Sequence, residues 1–192
     1  MAIDLPFGSR FESGPGKGLD NNMTNSADIS AAALESMRKR ITVFLPGQIR
    51  QAVQQLTDDE LWWRPNEESN SVGNLILHLS GSMRNYLCRS IGGFDYTRDR
   101  AAEFAARGPI PREELLVIFE TMIEQATRTL ESFDTATFLN STEEPDYYPH
   151  LFDQICGVVT HLALHTGQIV YVAKMLRAGS LDEIWRRAYN LE

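Results

Sequence analysis

Residues 151–177 have the sequence LFDQICGVVTHLALHTGQIVYVAKMLR, in which apolar side chains recur every three or four positions. This spacing is typical of one buried face of an α-helix. The stripe consists of Ile155, Val158, Leu162, Ile169, Val172 and Leu176. Because no proline interrupts it, the pattern predicts one long helix over these residues, with Gly179 as the glycine that ends it.

Three further segments show the same helical periodicity. The first covers residues 28–56, where Pro46 is expected to kink or break the helix. The second begins near Ser71, a residue type favoured at helix N-caps, and stops at a pair of glycines. The third covers residues 112–130, directly after a proline. Four long amphipathic helices without an alternating strand pattern predict an all-α fold of the four-helix-bundle type.

The connections and ends of the chain complete the predicted architecture. The link of about 19 residues between the second and third helices is longer than a tight turn needs, which predicts a crossover along the bundle. Residues 1–27 are rich in Gly, Ser and Asn, so we predict a flexible N-terminal tail. Residues 28–192 are predicted to form a single domain, with a short C-terminal helix over residues 180–192.

Composition excludes several classes of partner. With 18 basic against 26 acidic residues, the net charge is -8, and no basic stripe is present that would attract nucleic acid. No run approaches the roughly 20 apolar residues of a membrane span, so we expect no membrane partner. Cys88 and Cys156 both lie in predicted helices and are interpreted as reduced thiols of a cytoplasmic protein.

Three of the four histidines are candidate metal ligands. His161 and His165 are four residues apart, so they lie on one helix face with Cβ atoms roughly 5–6 Å apart. His78 adjoins the apolar stripe of the second helix. Three inward imidazoles can share one divalent ion, although each can instead be a core histidine bonded to backbone or carboxylate. His150 lies roughly 16 Å from His161 along the helix and cannot join the same ion.

The expected chemistry follows from the number of ligands. Three imidazoles without a fourth protein ligand leave coordination positions open, as in catalytic sites, where the ion lowers the pKa of a bound water or substrate thiol. Zinc or nickel is the expected ion, although imidazole also suits iron and copper. Asn74 and Gln168, one turn from His78 and His165, are expected to orient ligands or substrate, the alternative being ordinary helix-edge polar residues.

The aromatic segment before the second helix has two interpretations. Trp62 and Trp63 either cover the end of the bundle or line a substrate pocket beside the ion. Arg64 either neutralises an anionic substrate in that pocket or pairs with the acidic residues 58–60 at the surface. The mixed-charge run over residues 98–103 is expected to be solvated surface.

Two sequence motifs resemble one known family. The run GNLILHL (residues 73–79), preceded by LWWRP (61–65), and the run HLALHTGQ (161–168) resemble DinB-like proteins of the damage-inducible and YfiT-type metalloenzyme superfamily. The resemblance covers roughly residues 30 to 178, nearly all of the predicted domain. The segment WWRP (62–65) and the charged stretch over residues 98–104 resemble an uncharacterised subfamily of this superfamily.

The resemblance carries its own expectations. It implies a four-helix bundle of up-down-down-up topology, a homodimer, and a divalent metal held by His78, His161 and His165. Some relatives are thiol-dependent transferases or isomerases, which implies a small-molecule substrate and a low-molecular-weight thiol cosubstrate.

Two functional hypotheses follow. The first is a metal-dependent enzyme that transfers or hydrolyses a group on a small molecule, with or without a thiol cosubstrate. The second is a non-catalytic, dimeric binding or stress-response bundle whose histidines hold a structural ion or none.

Overall fold

The fold is all-α, as predicted. The computed structural model describes residues 26–177, and the regular structure in that range is helical, apart from an isolated antiparallel bridge between Ser141 and His150. The helices are α1 (Ser26–Lys39), α2 (Leu45–Gln54), α3 (Asp58–Leu61), α4 (Val72–Met83), α5 (Arg100–Ala105), α6 (Arg112–Glu131) and α7 (Leu151–Leu176). The predicted C-terminal helix lies outside the described residues, as does the predicted tail except for its last two residues, which belong to α1.

Helix α7 is the element that the sequence predicted most completely. It covers Leu151–Leu176, within one residue of the predicted range. Its buried face packs against α2 and α4, where Ile155, Leu162 and Ile169 have no solvent exposure. The two histidines of this helix are therefore carried by a long element that is packed on two neighbours.

Helix α4 begins where the sequence predicted. The Ser71 hydroxyl accepts a hydrogen bond from the backbone N–H of Asn74, and the Asn74 side chain accepts one from the backbone N–H of Ser71. This reciprocal capping satisfies two N–H groups that have no partner within the helix. The helix continues as a π-helical segment, Arg84–Arg89, before the glycine pair, of which Gly93 has a φ of 70°.

The break predicted at Pro46 takes a milder form. The chain stays helical from α1 to α2 and widens into a π-helical segment, Arg40–Phe44, just before the proline. Proline has no N–H to bond to the preceding turn, and its ring crowds that turn. The change in hydrogen-bond pattern therefore falls at the expected place without ending the helix.

Helix α5 was not predicted. It lies in the long link between α4 and α6, and the Asp99 carboxylate caps it by accepting a hydrogen bond of 2.9 Å from the backbone N–H of Ala102. Helix α5 packs on α4, and Glu103 is buried there with 7% exposure. The expectation that this whole charged run is solvated is therefore wrong for Glu103.

Helix α7 is also the one helix within residues 26–177 that is long and apolar enough to cross a membrane by length and composition. This is weak support for a membrane span, because core helices of soluble proteins meet the same criterion.

Candidate metal centre

The structure brings the three predicted histidines together from two helices. The Nε2 atom of His161 lies 3.0 Å from Nε2 of His78 on α4 and 3.0 Å from Nε2 of His165. The candidate ligand atoms of all three rings lie within 4.8 Å of one another. Two zinc-bound nitrogens at about 2.0–2.1 Å from a tetrahedral ion are roughly 3.3 Å apart, so this spacing fits a shared ion.

The hydrogen bonds at the far side of two rings determine where their protons lie. Nδ1 of His78 is 3.0 Å from Oε2 of Glu103, and Nδ1 of His165 is 2.7 Å from Oε1 of Gln168. Because both oxygens accept, each Nδ1 carries the proton and each Nε2 presents a lone pair. The Nε2–H of a neutral His161 can donate to only one of these lone pairs. A cation among the three Nε2 atoms satisfies all of them.

Burial favours the neutral form of His78 and His161, which is the form that can bind a metal ion. Desolvation lowers the pKa of His78, against the opposite effect of Glu103. Desolvation, followed by the nearby His165 and His78, lowers the pKa of His161 to about 4. Both imidazoles are therefore neutral at pH 7, as metal ligation requires.

Glu103 is held against His78 by an arginine. Arg98 donates two hydrogen bonds to its carboxylate, at 2.7 and 2.8 Å. Nη2 of Arg98 also lies 3.2 Å from Nδ1 of His78, but it already donates to Oε2 of Glu103. Gly81, one turn after His78, leaves room for Glu103, because a Cβ atom at that position would overlap its carboxylate. The buried pair is charge-balanced and fixes the orientation of the His78 ring.

The residues predicted to support the site lie at different distances from it. Gln168 contacts His165 directly. Asn74 contacts none of the three rings but donates to the backbone oxygens of Glu103 and Ala106, at 3.0 and 2.9 Å, and so fastens α5 to α4. Arg64 pairs with Glu67 at 3.3 Å and does not line the cavity beside the histidines.

The tryptophans also lie apart from that cavity. The indole N–H of Trp62 donates to the backbone oxygen of Ile110 at 3.1 Å, and its ring packs against Gly73 and Gly108. Trp63 is partly exposed. The structure therefore favours the interpretation in which the tryptophans cover the end of the bundle over the one in which they line a substrate pocket.

A cavity of about 480 Å³ opens beside the histidines. His78 and His161 form part of its wall, together with two arginines and three tyrosines. These residues are Arg98, Arg100, Tyr86, Tyr147 and Tyr148. The volume is within the range of small-molecule sites, about 300–1,000 Å³. A small molecule therefore has room to approach His78 and His161 from this cavity.

The two cysteines are free thiols and do not belong to the histidine group. Cys88 is fully buried, and desolvation raises its pKa to about 12. Desolvation also raises the pKa of the half-buried Cys156. Neither thiol is activated for nucleophilic chemistry.

Sequence reasoning missed Glu103 and Arg98 as parts of this site. The local signal was weak, because both lie in a charged stretch without helical periodicity. The sequence feature that could have pointed to them is Gly81, which lies in the apolar helix α4. A residue without a side chain permits close approach of another group, and at Gly81 that group is the carboxylate of Glu103.

Comparison with known proteins identifies the family of this chain. Among curated proteins, none matches the chain. A family model matches residues 28–185, which include all three histidines as well as Glu103 and Arg98. The chain therefore belongs to the DinB-like family described as "Protein of unknown function (DUF1572)".

Proposed function

We propose that this protein is a metal-dependent enzyme that transfers or hydrolyses a group on a small molecule. The observation that carries the proposal is the convergence of three Nε2 atoms, two of them with lone pairs fixed by Glu103 and Gln168, beside an accessible cavity. A structural ion needs no such cavity, whereas a catalytic one needs an open approach.

The chain's own residues have distinct parts in this proposal. His78, His161 and His165 hold the ion, for which zinc or nickel suits the imidazole donors. When bound, the ion supplies Lewis-acid activation of a water or of a thiol cosubstrate. Glu103 and Gln168 keep the protons of His78 and His165 on Nδ1, so that both Nε2 atoms stay available.

The finer architecture is part of the proposal. We propose that the segment α1–α2, the segment from α4 to Arg89, α6 and α7 form a four-helix bundle of up-down-down-up topology. The packing of α7 on α2 and α4, and of α6 on α4, supports this arrangement. The link that contains α5 is long enough to cross along the bundle.

We also propose that the chain forms a homodimer through the outer face of α7. Only 28% of the most apolar window of this helix is buried within the chain. Tyr171 is 66% exposed, Leu164 60% and Met175 48%. Residues at these spacings share one helix face, and a second copy of the same face is a complementary partner.

Metal content and turnover test the enzymatic proposal. Wild-type protein is expected to bind about one zinc or nickel ion per chain, and His165→Ala to lose it, because two imidazoles hold an ion weakly. His150→Ala is the matched control, since His150 precedes the same helix and pairs with Asp153 outside the cluster. Retention of full metal content by His165→Ala would show the site assignment to be wrong.

The second measurement separates an enzyme from a binding module. Stripped and metal-loaded wild-type protein are assayed against a panel of thiols, electrophiles and activated esters. The proposal predicts turnover only in the loaded sample. Equal inactivity of both samples, together with a melting temperature that rises on metal binding, would favour the non-catalytic bundle with a structural ion.

A further inference from the structure

We infer that the cavity beside the histidines recognises a small organic anion with an apolar or aromatic body, and that Arg100 is its anchor. This inference rests on the proposed function, because it names the class of substrate for the same site. It follows from the charge of the cavity wall and from the rings that line it.

Arg100 is a cation that the described part of the chain leaves unneutralised. It lies at the first position of α5, is exposed and lines the cavity. Within residues 26–177, no carboxylate lies within salt-bridge distance of it. The neighbouring Asp99 is engaged as the N-cap of α5. The Arg100 charge is therefore available to a ligand.

Ring packing connects Arg100 to the metal centre. Its guanidinium lies 5.0 Å from the ring centroid of Phe104, a distance typical of cation–π contacts. The ring of Phe104 in turn lies 4.6 Å from that of His78. Arg100 and His78 both line the cavity, so an anion bound to Arg100 is held in the same cavity as the candidate metal ligand His78.

The rest of the wall adds no negative charge within the described residues. No Asp or Glu lines this cavity, and the second cation, Arg98, is already balanced by Glu103. The net positive charge of the wall contrasts with the net charge of -8 of the whole chain. Such a local excess attracts anions and repels cations.

Three tyrosines give the cavity an apolar side. The ring centroids of Tyr86 and Tyr148 are 5.9 Å apart, and those of Tyr147 and Tyr148 are 4.5 Å apart. The ring of Tyr148 lies against Gly157, where a Cβ atom would overlap it. Aromatic walls of this kind suit a flat or apolar ligand body.

A pair of probes that differ in charge alone tests the inference. Phenylacetate and its neutral amide, phenylacetamide, are titrated by calorimetry into the full chain, both metal-free and zinc-loaded. Wild-type protein is expected to bind phenylacetate about tenfold more tightly than phenylacetamide, a difference on the scale of one charge-assisted hydrogen bond. In Arg100→Gln the preference is expected to fall to within about twofold.

The control removes the same charge elsewhere. Arg128 is exposed on α6 and does not line the cavity, so Arg128→Gln is expected to keep the preference. Equal binding of both probes by wild-type protein, binding of neither, or an undiminished preference in Arg100→Gln would overturn the inference.

Zinc content measured on the same samples separates the two proposals. If the protein prefers phenylacetate through Arg100 but binds no zinc, the proposal of a metal enzyme is wrong and the anion site stands. If the protein binds one zinc per chain but binds phenylacetate and phenylacetamide equally, the anion site is wrong and the metal site stands.

Discussion

At the scale of single residues, the candidate centre depends on Glu103 as much as on the histidines. Its carboxylate accepts hydrogen bonds from Nδ1 of His78 and from Arg98. The side chains of the ion pair Glu103–Arg98 are both largely buried. A bond at Nδ1 fixes both the tautomer and the orientation of a metal-ligating imidazole. The candidate ligand His78 was predicted from the sequence, but its partner Glu103 was not.

The first prediction concerns this pair. The double substitution Arg98→Gln with Glu103→Gln removes both charges together, so neither is left buried alone. Zinc affinity is expected to fall about 10- to 100-fold, because Nδ1 of His78 loses its charged acceptor. Competition with a chromogenic chelator measures this change on protein that circular dichroism shows to be folded.

A second ion pair in the same chain provides the control. Arg50 and Glu120 form a bidentate pair with bonds of 2.5 and 2.7 Å, and neither lines the cavity. The double substitution Arg50→Gln with Glu120→Gln should leave zinc affinity within about twofold of wild type. Equal affinity in both double variants would refute the positioning role of Glu103.

The sequence was sufficient for some residues and insufficient for others. His161 and His165 were predictable because a spacing of four fixes their relation on one helix. Their convergence with His78 needed the packing of α7 on α4, which apolar periodicity also suggested. Glu103 lies 25 residues beyond His78 in the chain, and no local pattern relates the two.

At the scale of the element, α7 carries two of the three candidate metal ligands and part of the cavity wall. Its two glycines differ in surroundings: a Cβ atom at Gly157 would overlap the ring of Tyr148, whereas one at Gly167 would meet no atom within 4 Å. The same chemical change is therefore expected to have opposite effects at the two positions.

The second prediction compares Gly157→Ala with Gly167→Ala. Alanine favours a helix over glycine by about 1 kcal/mol, so the free energy of unfolding should rise by up to that amount in Gly167→Ala. It should fall by about 1–3 kcal/mol in Gly157→Ala, because the Tyr148 ring must move. Urea unfolding of both variants measures the difference, and an equal rise in both would contradict the described packing of Tyr148.

Element prediction succeeded where periodicity was long and failed where it was short. The ranges of α6 and α7 and the capping residue of α4 followed from apolar spacing, Pro111 and Ser71. Helix α5 has six residues and no apolar stripe, so nothing in its sequence distinguished it from a solvated loop. The π-helical segments were missed because a one-residue change in hydrogen-bond pattern barely alters the apolar spacing.

At the scale of the whole molecule, exposed apolar side chains recur on one face of α7. The outer face of α7 exposes several large apolar side chains, among them Leu164, Tyr171 and Met175. The homodimer, the enzyme class and the bundle topology all stay predictions at this scale.

The third prediction tests the dimer. Tyr171→Lys places a charge on the exposed face of α7, at a residue that does not line the cavity, and should convert the wild-type dimer to a monomer. Val117→Lys is the control, since Val117 is 65% exposed on α6. Light scattering after size-exclusion chromatography gives the masses. A monomeric wild type, or an equal effect of both substitutions, would rule out this interface.

X-ray absorption spectroscopy of the zinc-loaded full chain tests most directly whether three imidazoles bind one ion. The expected spectrum contains three imidazole nitrogens at about 2.0–2.1 Å from zinc and one further light-atom ligand. A sulfur shell at about 2.3 Å, or fewer than three imidazoles, would contradict the account.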